Sequence, residues 1–281
     1  MRVLALGDLL LDIVPQRRPA SSADTTQTPV GIGGRAAAVA AWVSALGGEA
    51  GLIGARGDDI VARMAAAELY RRGVRMHGPI VPGEAGTVAT LLAEYGEAER
   101  NASSPITASF TADDLDPSWF VGADALHISS VAGIVAAAAR MARHERALVS
   151  ADLPGAEMIR YAGAETVAER LLRLRPRVLF GTDDALEALG ILPSVPVVVV
   201  TRNDDSAQIR RRGRLIEIPA PDVAVVDPAG TDDAFVAGFL LGADLDDAIV
   251  RARRAATMCR GLTGALPAMR EGVVSATSSA P

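Results

Sequence analysis

The chain has 281 residues, is 49% hydrophobic and 22% charged, and carries a formal net charge of -6. That composition suits a single globular domain over residues 1–281, with a substantial core; it argues against non-specific nucleic-acid binding, and no apolar run is long enough to span a bilayer. All 28 basic residues are arginine, which excludes a Walker-type phosphate lysine, a Schiff-base lysine and a lysine general base.

Arg2 to Val14 reads as a buried strand over Val3-Leu4-Ala5-Leu6, a turn at Gly7-Asp8, and a second apolar run from Leu9. Residues 15–30 are polar and proline-punctuated, which predicts a loop or a pair of short exposed strands. Gly31-Ile32-Gly33-Gly34 then precedes alanine-rich Arg35 to Leu46. The spaced Val39, Trp42, Val43 and Leu46 predict a helix there, closed by Gly47-Gly48. Ile60 to Arg72 predicts another helix with Gly73 as its stop. Val88 to Tyr95 alternates loosely and reads either as part of a small outer sheet or as a return into a main one.

From about 112 strand and helix alternate. A short capped helix at Thr111–Asp114 leads to a strand at Ala125–Ser129, a helix at about 133–146 and a strand at Ala147–Ser150 ending near Asp152. Helices at about 165–175 and 183–189 flank a strand at Val178–Phe180, and a strand follows at Val195–Thr201. Ala207 to Ala220 reads as a hairpin with Arg-Gly at its turn, and Leu245 starts a long helix to about Cys259. Apolar, β-branched strands alternating with helices predict a mostly parallel sheet covered on both faces. Asp183 and Asp184 suit a helix first turn. Met258 and Cys259 suit core packing. The lone cysteine excludes an intrachain disulfide and makes a cytoplasmic setting the default, and the three scattered histidines offer no transition-metal pattern.

The chemistry concentrates in Asp227-Pro228-Ala229-Gly230-Thr231-Asp232-Asp233-Ala234-Phe235, followed by Val236 to Leu240. A β-rich run meets a Pro/Gly turn that opens onto an apolar helical face. A glycine at that junction lets backbone N–H groups approach an anion, and the helix adds the positive end of its dipole. A carboxylate on the first turn could take a proton from a hydroxyl while the amides hold developing charge. The same acids could equally be helix caps.

This stretch resembles the C-terminal signature of the ribokinase-like (PfkB) carbohydrate and nucleoside kinases, approximately D-x-x-G-A-G-D-x-F-x-x-G, matched by Asp227, Gly230, Asp233, Phe235 and Gly238. The glycines at 33 and 34, Leu46-Gly47, and Gly54, Gly57 and Asp58 resemble the family's N-terminal signature. The resemblance implies a three-layer α/β/α sandwich with a mostly parallel central sheet and a small β lid, from about 13–30 and 78–100. It implies ATP-dependent phosphorylation of a hydroxymethyl group on a sugar or nucleoside-like small molecule, with Mg2+ and a monovalent cation such as K+, which family members often bind. Asp233 would be the general base and Gly230, Thr231 and Asp232 the anion hole. Asp12, Gly33 and Gly34 would bind substrate; Asp8 is the second choice to Asp12, and either could be a solvated turn acid. Thr201, Asn203, Gly230 and Gly264 would bind nucleotide. Asp227 and the Ala229 carbonyl would hold the monovalent cation, while Asp183 and Asp184 are the candidates for the divalent metal. Asp152 is a further match to an acid the family often carries.

Five positions depart from the family pattern. Ala38 replaces the substrate-binding Asn, Thr182 and Ala185 replace Asn-x-x-Glu, Asn203 replaces a nucleotide-side glycine, and Asp232 replaces the second glycine of G-A-G-D. Two unit charges about 4 Å apart repel by roughly 4 kcal/mol at an intermediate dielectric, so Asp232 either points away from the site or weakens phosphate binding. These departures leave an alternative: a weak or inactive relative that binds a small ligand or a protein partner. The resemblance also leaves room for a homodimer, and nothing in the sequence calls for nucleic acid or a membrane.

Overall fold

Apolar strands separated by helices with one buried stripe can cover both faces only as a sheet between two helical layers. The computed structural model has that arrangement; it describes residues 1–13, 30–84, 88–94, 97–102, 110–129, 133–190, 194–202, 204, 206–262 and 264–267. In chain order the strands are β1 (Arg2–Leu6), β2 (Leu10–Ile13), β3 (Val30–Gly33), β4 (Glu49–Ile53), β5 (Arg56–Gly57), β6 (Val74–His77), β7 (Ile80–Val81), β8 (Val88–Glu94), β9 (Glu97–Ala102), β10 (Ala125–Ile128), β11 (Leu148–Asp152), β12 (Val178–Thr182), β13 (Val197–Thr201), β14 (Ala207–Arg211) and β15 (Arg214–Ile218). The helices are α1 (Arg35–Ala45), α2 (Ile60–Arg71), α3 (Val135–His144), α4 (Ala156–Ala162), α5 (Ala164–Leu174), α6 (Asp183–Leu189), α7 (Thr231–Leu240) and α8 (Leu245–Arg260).

The main sheet runs β15-β14-β13-β12-β11-β10-β1-β4-β6. It is parallel except for the β13–β14–β15 meander. Residue period 2 divides its side chains between two cores. Val3, Ala5, Leu52, Phe180 and Val199 face α1, α7 and α8. Leu4, Leu6, Ile53, Leu126, Ile128 and Leu179 face the layer of α3 to α6. Starting from β1, the chain first moves outward through β4 and β6. It then crosses back to β10 and continues the other way. The strand order reverses between β1 and β10, and open α/β sheets bind ligands outside the carboxyl ends of the strands near such a switch.

A separate four-stranded sheet, β3-β2-β8-β9, forms from the segments flanking 14–29 and 95–96, which lie outside the described residues. Val88 to Glu94 therefore belongs to the small sheet and not to the main one. The predicted helices and strands from 112 onward fall within a few residues of the observed ones. The predicted hairpin at 207–220 turns at Arg212-Gly213, with φ of 48° and 75°, the backbone pattern of a tight two-residue hairpin turn. Helix α4 and strand β6 had no clear signal, because each is short and lacks a punctuating pattern of its own. Among the described residues, no helix is long and apolar enough to cross a membrane.

Candidate active site

Helix α7 begins at Gly230, whose φ of 76° is left-handed, a conformation that glycine takes without strain. A Cβ there would collide with the carbonyl oxygen of Ala265. Asp227 fixes the approach to this helix. Its Oδ1 accepts from the Ala229 amide and its Oδ2 from the Gly264 amide, both at 2.9 Å. Thr231 Oγ1 donates to the Pro228 carbonyl at 2.8 Å. Further along, a Cβ at Gly238 would lie 2.5 Å from the Arg251 carbonyl oxygen, so this glycine lets α7 and α8 cross closely. Phe235 is buried and stacks against Phe239. The signature residues thus divide into a turn clamp, a close-approach glycine, a packing glycine and an aromatic core residue, leaving Asp233 with no packing duty.

A cleft of about 310 Å³ opens beside the start of α7, lined by Arg35, Thr182, Thr201, Arg202 and Pro228, and by Gly230 to Asp233. Asp233 is largely buried, with its side chain 13% exposed, and its Oδ1 lies 3.5 Å from Arg35 Nε. Burial pushes the Asp233 carboxyl up to about 7; Arg35 pulls it back, and the like charges of Asp152 and Asp232 add to the rise. Asp152, at the end of β11, is 5% exposed, and its Oδ2 is 3.4 Å from the same Arg35 Nε. Burial would raise Asp152 too, but Arg35 and then His127 outweigh it and hold the carboxyl at about 2. His127 Nε2 approaches Asp152 Oδ2 to 3.3 Å, and its Nδ1 sits 3.0 Å from Ser150 Oγ. Arg35 therefore bridges two carboxylates, one held ionised and one poised near neutrality. Its own pKa is pushed further up, chiefly by Asp152.

The expected residues separate in space. Gly230, Thr231, Asp232, Asp233 and Thr201 share the cleft. Asp232 is exposed and lines the rim of the cleft, so its charge stays beside the anion hole. Gly264 stands behind the turn, joined to it through Asp227. Asp12 on β2 packs its carboxylate over Gly33, where a Cβ would overlap it. Gly34 has a φ of 96° and adjoins Arg35, so the Asp12–Gly34 corner approaches the cleft from the small sheet. Ala38 is buried in α1. Asn203 lies outside the described residues. Asp184 sits in the first turn of α6 and accepts from the Thr182 hydroxyl and, at 3.0 Å, from the Ala185 amide. Asp183 pairs with Arg202 at 3.3 Å. The two acids therefore serve the helix start and an ion pair, and Thr182 is the residue of that wall that faces the cleft. Among the described residues, no three His, Cys, Asp or Glu side chains are grouped to hold a metal ion. Cys259 is buried, its thiol reaches the Ala229 carbonyl at 3.3 Å, and burial pushes its pKa up to about 12, so it is packing and not a nucleophile.

Sequence reasoning missed Arg35 and His127. Arg35 had a signal: it is a cation at the N-terminus of a helix, where the dipole disfavours positive charge. His127 interrupts an otherwise apolar, fully buried strand.

The chain is 32% identical over 290 residues to the ATP-dependent ribose-1-phosphate kinase of Halopiger xanaduensis, covering 99% of this chain and 96% of that one. It is 29% identical to fructokinase-1 of Zea mays, covering 85% and 81%. A putative ribokinase II from E. coli, solved in complex with ATP and Mg2+, superposes with a TM-score of 0.80 at 19% identity, covering 96% of each chain. Residues 2–271 match the pfkB family carbohydrate kinase description, and the chain belongs to that family of kinases.

Proposed function

We propose that this kinase transfers the γ-phosphoryl group of ATP to a hydroxyl of a small sugar, with ribose-1-phosphate the first acceptor to try, given the relative of that name. The observation that carries the reading is Asp233: a nearly buried carboxylate near neutral pKa, on the first turn of a helix whose amides open onto a cleft. Asp233 takes the proton of the acceptor hydroxyl as that oxygen bonds to the γ-phosphorus. The bond from phosphorus to the β–γ bridging oxygen breaks, and its electron pair leaves on ADP. The amides at Gly230 to Asp233 face the charge that develops on the transferred group.

The nucleotide phosphates would approach the turn at Gly230, a residue that must be glycine for Ala265 to pack against it. Thr182 on the α6 wall of the cleft would offer an oxygen to a magnesium ion, which would supply charge neutralisation at the phosphates. A potassium role at Asp227 and Ala229 gains no support, since both Asp227 oxygens already accept backbone amides. The small β3-β2-β8-β9 sheet is the candidate lid, with Asp12 its substrate-facing acid.

The test is a screen for ADP release, beginning with ribose-1-phosphate and fructose, run on the wild type and Asp233→Asn. Loss of a general base lowers turnover by about 10²–10⁴, while binding of Mg·ATP stays within a few-fold. Turnover by Asp233→Asn at the wild-type rate would remove the assignment of the base.

A further inference from the structure

Phosphoryl transfer needs positive charge beside the migrating group, and this chain must find it without lysine. Two cations line the cleft, Arg35 and Arg202. Arg202 is committed: it pairs with Asp183 at 3.3 Å and with Glu217 at 2.8 Å. Arg35 is committed on one side only. Its closest approaches to Asp152 and Asp233 are both made by Nε. Among the described residues its side chain donates from Nε to Asp233 Oδ1. Its side chain is 44% exposed, whereas the acids behind it are 5% and 13% exposed. The guanidinium is thus anchored at its inner edge and presents its outer fork to the cleft. It is also close enough to Asp232 for that carboxylate to stabilise its charge.

We propose that Arg35 is a further catalytic residue, gripping the γ-phosphoryl group through its terminal nitrogens while its charge offsets Asp232 at the rim of the anion hole. The proposal rests on the kinase reading above. It accounts for the acid at 232: a negative charge there is tolerable because the Arg35 cation lines the same cleft within electrostatic reach. It also accounts for a cation at the start of α1, against the helix dipole, because the neighbouring Asp152 and Asp233 carboxylates hold it there.

The experiment needs no acceptor sugar. Titration calorimetry compares Mg·ADP with Mg·AMP-PNP, which adds a γ-phosphate, on the wild type, Arg35→Gln, Asp232→Gly and the double variant, with circular dichroism as a folding control. The wild type should prefer Mg·AMP-PNP. Arg35→Gln should erase that preference, a loss of roughly tenfold to a hundredfold for a charged contact, and leave Mg·ADP affinity unchanged. Adding Asp232→Gly should restore a large part of the lost affinity, because the uncompensated acid is gone. A merely structural role for Arg35 would weaken both nucleotides alike, and that result overturns the proposal, as does an Asp232→Gly effect that is the same with and without Arg35. Wild-type protein that binds neither nucleotide would sink the kinase reading itself. Nucleotide binding with an unaltered γ-phosphate preference in Arg35→Gln would sink the Arg35 proposal alone.

Discussion

Asp233→Asn should make the protein more stable at alkaline pH even as it stops turnover. The folded carboxyl is raised from 3.8 to about 7, chiefly by burial. A raised carboxyl favours the fold fully below pH 3.8, and that advantage is lost as pH rises through about 7, where the folded state must carry a buried charge. About three units correspond to ~4 kcal/mol of penalty, present in full above pH 8 and much smaller at pH 5. Asparagine keeps the shape and an acceptor oxygen for Arg35 but never ionises. Asp152 carries the opposite sign, since its depressed carboxyl contributes stability above pH 3.8 that is lost only as pH falls toward about 2, so it stays silent in this window. Thermal unfolding of both proteins at pH 5 and pH 8.5 reads the effect. The variant should gain about 5–8 °C at pH 8.5 for a chain of this size, with the gain shrinking toward pH 5. A variant equally or less stable than wild type at pH 8.5 would refute the claim that Asp233 is ionised there at a folding cost.

The same raised carboxyl sets the pH dependence of rate. A base must be ionised to accept a proton, so kcat/KM should fall about tenfold per unit as pH drops below about 7; a limb near pH 4 instead would mean that Asp233 sits in a wetter site. Gly230→Ala forces a Cβ against the Ala265 carbonyl at a left-handed φ of 76°. It should cost ~1–3 kcal/mol in urea unfolding and abolish Mg·AMP-PNP binding; wild-type affinity would show that the turn is not the phosphate cradle. Gly238→Ala, at the α7–α8 crossing, should destabilise by a similar ~1–3 kcal/mol with nucleotide affinity retained once folded.

Where the sequence carries a period, the fold can be read from it. Val3 to Leu6, Val178 to Phe180 and Val197 to Val200 are apolar on both faces, and the observed strands bury both faces against helices. Asp233 was legible because Gly230 and the following apolar helix fix its place on a first turn. Residues whose role depends on distant partners were less so. Nothing in the spacing of Arg35, Asp152 and Asp233 reveals that α1, β11 and α7 bring them within 3.5 Å. For Asp183 and Asp184 the sequence left a metal role and a helix-start role open, and their observed partners are local: Thr182 and the Ala185 amide for Asp184, and Arg202 for Asp183.

The residues that break local rules share one region. Arg35 opposes a helix dipole, Asp233 carries a carboxyl where burial makes ionisation costly, Asp152 is a nearly buried charge, and His127 is a polar ring in an apolar strand. Each alone would destabilise the fold. Side by side they offset one another: Arg35 supplies the charge that holds Asp152 ionised and limits the rise of Asp233, while His127 lends Asp152 a second neighbour. Such clustering is expected where a site, and not the core, dictates residue choice. It weighs against the reading of this chain as an inert relative. A protein that had lost its chemistry would have no reason to keep Asp233 ionisable at a folding cost of several kcal/mol, when a single change to asparagine relieves it.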